Sequence, residues 1–151
     1  MIDPRTLSEL VNEIKANICE IKKLDFVASD DEFVEILADH KATENLILVT
    51  VLPDYAGGGA EDNGEITTMM QFFVLEKVDY KAMKNRDDYM AVFQRTLEAA
   101  RKFLQAFFAL MQERCYAEKL DYDFTIRPIP RKAQCNGYEI QIDSKAFSEI
   151  E

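Results

Sequence analysis

Histidine is nearly missing from this chain: His40 is alone among 151 residues, beside no tryptophan, three cysteines, four prolines and five glycines. A lone histidine excludes a metal centre built on several imidazoles, and any Ser-His-Asp or Cys-His site would have to use His40 itself. Cys19, Cys115 and Cys135 are odd in number and far apart, with no C-x-x-C pair. They suggest neither a disulfide framework nor a zinc site, and a reducing cytoplasm is the simplest home. The scarcity of proline and glycine excludes a collagen-like or linker-rich chain. No apolar run approaches the roughly eighteen residues of a membrane span, and MIDPRTLSEL lacks the basic-then-apolar pattern of a secretory leader. A soluble protein with no membrane partner is expected.

Positive charge is also in deficit. Eighteen Lys and Arg face 28 Asp and Glu, a formal net charge of -10. Such a balance repels the phosphate backbone that dominates nucleic-acid affinity. The densest basic stretch, Arg127, Arg131 and Lys132, has no aromatic stacking platform beside it, so sequence-specific nucleic-acid binding is not expected.

Apolar residues are plentiful at 48%, ten of them Phe, enough for one core in a single α+β domain over residues 1–151. Asp3-Pro4 is a helix-opening pair, followed by a stripe of Leu7, Leu10, Val11, Ile14, Ile18 and Ile21. Between Leu24 and Glu44 the pattern is weaker: Ser29 and Glu32 suggest a capping box for a short helix through Phe33, Ile36 and Leu37, while FVEIL could also be a strand. LILVTVL, Leu46 to Leu52, reads as a buried strand ending at Pro53, and Ile66 to Val78 as a longer one with apolar residues on both faces.

Asn85 then opens the longest helix, striped by Tyr89, Phe93, Leu97, Ala100, Leu104, Phe107 and Met111 and ending near Cys115. DYDFTIRPIP and NGYEIQID read as two more strands, and the Asn136-Gly137 pair between them favours a tight turn. The expected architecture is an antiparallel sheet of about four strands in the order α-(α)-β-β-α-β-β, packed by an N-terminal and a long central helix.

LPDYAGGGAEDNGEI, Leu52 to Ile66, sets three glycines beside carboxylates between two strands. A phosphate cradle needs amides converging at a helix N-terminus; here acids and then a strand follow the glycines. Calcium is chemically closer, because Asp54, Glu61, Asp62 and Asn63 are hard oxygen donors, but they lack the alternating EF-hand spacing. The segment is read as a solvated hairpin connector, mobile through Tyr55, Gly57, Gly58, Gly59, Glu61 and Asp62. His40 is read as a surface residue near a helix C-terminus. No catalytic residue, metal, nucleotide or other cofactor is assigned.

NLILVTVLPDY, the loop to Gly64, EITTMMQFFVLEKV, the helix from Asp87 to Arg114 and GYEIQID together form an N-terminal helix, a long-looped hairpin, a long helix and a closing hairpin. This arrangement resembles the tail terminator, or tail completion, proteins of long-tailed phages and prophages. The resemblance implies a non-enzymatic subunit that forms a hexameric ring on the tail tube and joins it to the head. Its partners would be copies of itself, the tail-tube protein and head-connector proteins. It would pass from the host cytoplasm into the virion tail, and an acidic lumen would let DNA through without sticking. Self-association is expected through the faces of the second strand and the wide stripe of the long helix, with Met69, Phe73, Met90, Phe103 and Phe108 as candidate contacts. A small cytosolic enzyme using scattered carboxylates and His40, or an adaptor presenting a sheet edge or the aromatic helix face, are the alternatives.

Overall fold

The computed structural model describes residues 1–59, 64–114 and 122–147. Each α-helix starts where a side chain relieves its free amides. In α1 (Pro4–Ala16) the Asp3 carboxylate accepts from the Thr6 N–H at 2.7 Å, with Pro4 in the first turn. In α2 (Asp30–Asp39) the Ser29 hydroxyl accepts from the Glu32 N–H, and the Glu32 carboxylate reaches back to the Ala28 N–H, both at 3.3 Å. Asn85 begins α3 (Arg86–Glu113) by accepting from the Asp88 N–H at 2.9 Å.

The sheet corrects the expected architecture. Among the described residues it has five strands, β1 (Lys23–Val27), β2 (Ile47–Gly58), β3 (Glu65–Lys77), β4 (Tyr122–Lys132) and β5 (Cys135–Phe147), in the spatial order β1-β2-β3-β5-β4. β1 runs parallel to β2 and every other pairing is antiparallel, so the sheet is mixed. Three α-helices, not two, pack on it. The unforeseen strand is KLDFV, which mixes charges with apolar residues and is fully buried only at Val27. Five residues on a sheet edge are too few to show a period. Because β1 and β2 are parallel, they need a crossover, and α2 supplies it.

Alternation along the strands feeds two cores. On the first face, Leu48, Met70, Phe72, Val74, Ile140 and Ile142 meet the stripes of α1 and α3. The α1 stripe and its continuation through Ile18 and Ile21 are all buried, and so are Phe93, Ala100, Leu104, Phe107 and Met111 of α3. Phe72 lies 4.7 Å from Phe103 and 5.6 Å from Phe107, centroid to centroid. On the second face a smaller core joins Phe33 and Leu37 of α2 to Val27, Ile47, Val49, Phe73, Leu75 and Cys135.

Two details of the hairpins differ from expectation. β2 does not stop at Pro53; a register shift between Val51 and Asp54 absorbs the proline as a bulge, and pairing resumes to Gly58. The β4–β5 turn is Ala133-Gln134, with φ of 46° and 63°, and Asn136-Gly137 lies inside β5. Both residues are needed there. The Asn136 carboxamide accepts from the Arg131 N–H at 2.8 Å and exchanges hydrogen bonds with the Tyr80 hydroxyl. At Gly137 a Cβ would come within 2.0 Å of the Val74 carbonyl oxygen.

Gly137→Ala therefore forces β5 away from the central strand and should cost roughly 2–4 kcal/mol, in the upper range for overpacked sites. At Gly57 an added Cβ meets nothing within 4 Å. Gly57→Ala should stay within about 0.5 kcal/mol of the parent. Urea midpoints of the two variants check the contrast; equal midpoints would contradict the close approach.

Candidate functional site

The lone histidine is not on the surface. His40 follows the last residue of α2, as expected, but is 1% exposed. The cause is a junction with Asn45 and the end of β3. The Lys77 N–H donates to Asn45 Oδ1 at 2.9 Å, and Asn45 Nδ2 donates to the Lys77 carbonyl at 3.0 Å. This two-point contact fixes which end of the amide is oxygen. His40 Nε2 lies 2.8 Å from that same Oδ1 and must therefore carry the proton. Nδ1 is then the bare acceptor, buried and without a partner among the described residues. Lys77 Nζ closes the junction by donating to the Leu37 and Ala38 carbonyls, both at 3.1 Å, at the negative end of α2.

Beside this junction lies a cleft of about 700 Å³ lined by His40, Lys41, Lys77, Tyr80, Lys81 and Gln134, among others. Its chemistry is largely committed: Lys77 holds α2, and the Tyr80 hydroxyl holds Asn136. Cys135 pairs with Lys77 across the sheet, which brings it to the same end as His40, but no hydrogen bond joins them. Burial pushes the Cys135 thiol up to about 11, so it is protonated and a poor nucleophile at neutral pH. Cys19 is exposed, and Cys115 lies outside the described residues.

The five candidate contact residues are dispersed. Phe73 packs edge-on against Phe33 at 4.6 Å in the second core, and Phe103 is fully buried in the first. Phe108 is half-buried, edge-on to Phe107 and tilted against Phe124, and Met69 is half-buried on the second face. Only Met90 is openly exposed, at 57%. Of the glycine segment, Tyr55, Gly57 and Gly58 belong to β2, and Gly59 starts the connector with φ 110°. Glu61 and Asp62 lie outside the described residues. Tyr55 is anchored, its hydroxyl donating to the Ile2 carbonyl at 2.5 Å.

Sequence reasoning missed the open end of the sheet. α2 covers one end of the second face, over Ile47, Val49, Phe73, Leu75 and Cys135. Val51 still packs against this core, at the margin of the cross-strand row Val51, Gln71, Gln141 and Thr125; the next row, Asp54, Met69, Asp143 and Asp123, has no helix over it among the described residues. Asp123 and Asp143 sit directly opposite one another, a like-charge pair that destabilises a sheet. Asp143 Oδ1 has no hydrogen-bond partner among the described residues. Period-two spacing shows each strand's alternation, but the row emerges only from the register. Among the described residues, no helix is long and apolar enough to cross a membrane, and no group of three or more His, Cys, Asp or Glu is placed to hold a metal ion.

Burial, with Lys23 and Lys77 adding to it, holds the His40 imidazole below its ordinary range against the opposing Asn45 bond and Glu44. A proton on Nδ1 would find no acceptor. The unfolded chain takes up that proton below about pH 6.5 and the folded chain resists it, so stability is full above that pH and falls below it. His40→Gln keeps a donor for Asn45 and should flatten the loss between about pH 6.5 and 5.5 in denaturant titrations. An unchanged slope in the variant would contradict a buried, neutral His40 as the source of the pH dependence. Among known proteins, no family, no curated sequence and no solved structure matches this chain.

Proposed function

We propose that this protein is a non-enzymatic assembly subunit that forms a ring on the end of a phage or prophage tail tube and joins it to the head. One observation carries the reading: among the described residues, one end of the sheet is left uncovered on its second face and along both edges, and its acidic row comprises exposed Asp54 and Asp123 with half-buried Asp143 between them. A face of this kind turned toward a lumen repels the DNA that passes it. The edges beside it supply places for copies to meet. The overall charge of -10 supports the same reading. Copies of the chain, the tube protein and a head connector are the partners of this proposal, and the host cytoplasm followed by the virion tail is its location.

A second reading, a small enzyme, is favoured by the cleft beside His40 and the unpartnered Nδ1. It is the weaker one, because His40 Nε2 and the Lys77 ammonium are both spent on holding the fold.

The two readings separate by experiment. Tail-tube protein from the same genome should recruit the purified chain to one end of each tube as a ring visible by electron microscopy, and uncapped tubes should keep lengthening. Tubes that grow to the same length with and without the chain would overturn the proposal.

A further inference from the structure

We infer that the free edge of β4 at residues 122–127 pairs antiparallel with the free edge of β2 at residues 54–58 of a second copy of this chain, joining copies head to tail through one continuous sheet. The inference rests on the ring reading and names its contact.

Among the described residues, both edges lack a neighbour over these positions. β1 ends at Val27, opposite Val51, so β2 beyond that point has β3 on one side only, and residues 54–58 are all exposed. β4 is the last strand on the other side. Its prolines, Pro128 and Pro130, fall on alternate residues, and facing their nitrogens away from β5 spares the β4–β5 ladder. The amides of Phe124 and Ile126 share that parity and face outward too. The prolines thus close one half of the edge to pairing and leave the half at 122–127 available.

Direction, position and side chains then agree. In β2-β3-β5-β4 every step is antiparallel, so β2 and β4 run in opposite directions, and β4 of one copy meets β2 of the next antiparallel. The row from Asp54 through Met69 and Asp143 to Asp123 shows that the two free edges lie at the same end of the sheet. Phe124, 49% exposed, lies on the first face beside Phe108, and Tyr55 at 40% lies on that face at the other edge. Pairing brings these apolar side chains together. On the second face it brings exposed Asp54 toward exposed Arg127, and neither has an ion-pair partner among the described residues.

The contact uses different surfaces on the two copies, so it propagates and closes into a ring when the rotation per copy divides a full turn. It is also small: about five residues on each strand fall short of the roughly 1,000 Å² of a stable interface. Each copy therefore gains most when held from both sides, and a tube end that lines copies up favours the ring over dilute dimers.

Disulfide trapping tests the contact in the full chain carrying Cys19→Ser and Cys115→Ser. One protein receives Ala56→Cys and a second Thr125→Cys, both on the second face. Oxidised together at high concentration, they should give a mixed disulfide, with neither protein alone forming homodimers. Adding Phe124→Lys should cut the yield about tenfold while leaving the thermal melt unchanged, because the ring is half-exposed at the edge. A yield no higher than that of Ala56→Cys with Arg101→Cys on the exposed side of α3, or homodimers as abundant as the mixed species, would overturn the inference. Mixed disulfides from a chain that never caps tubes leave the edge contact standing and remove the tail reading. Capped tubes without mixed disulfides do the reverse.

Discussion

The contact of Phe72 with Phe103 and Phe107 is the constraint on which the rest of the structure depends. Phe72 stands in the central region of β3, between β2 and β5, and the two rings of α3 close over it. Each of these buried side chains is worth about 1.5–3 kcal/mol in transfer from water, a large share of a domain's net stability. Their position sets where α3 crosses the sheet, and α1 then fills the space beside it against Leu48 and Met70. With two helices spent on one face, α2 alone among the described residues remains for the other. Ten residues of helix cover one end of that face and leave the opposite end open.

Legibility in the sequence followed the length of each pattern. α1 and α3 carry caps and several turns of stripe, and Asp3 and Asn85 stand where the helices begin. β3 and the alternation of β5 were legible for the same reason. β1 was not, because its five residues are split between the two cores, Leu24 and Phe26 half-buried against the first and Val27 buried in the second. Asn136-Gly137 misled because the pair that most favours a turn is held in a strand by the Tyr80 contact and by the closeness of the Val74 carbonyl. Ala133 and Gln134 take the left-handed turn in its place, without a glycine to announce it.

The candidate site was less legible than the fold, for a physical reason. Burial of His40 arises from Asn45 and Lys77, the latter 37 positions away in sequence, and neither type signals such a role. The acidic row joins Asp54, Asp143 and Asp123 from three strands, so it exists only once the register is set. Phe103 shows the converse: an aromatic in excess of one helical stripe turned out to face the chain's own sheet, because β3 offers Phe72 to meet it. Exposed apolar side chains lie at strand edges, at Phe124, Tyr55 and Leu52, and on helices, at Val34 and Met90.

The central claim is that the open end of this sheet completes itself with further copies of the chain. Amide hydrogen exchange compared between dilute protein and protein assembled on tube ends addresses it directly. Edge amides without a partner exchange fast, and pairing slows them in proportion to the stability of the contact. The account predicts that Phe124, Ile126 and the 54–58 segment exchange rapidly in the dilute chain and become protected together on assembly, with the outer side of α3 around Met90 unchanged. Protection confined to α3, or edge amides that exchange equally fast in both states, would contradict it.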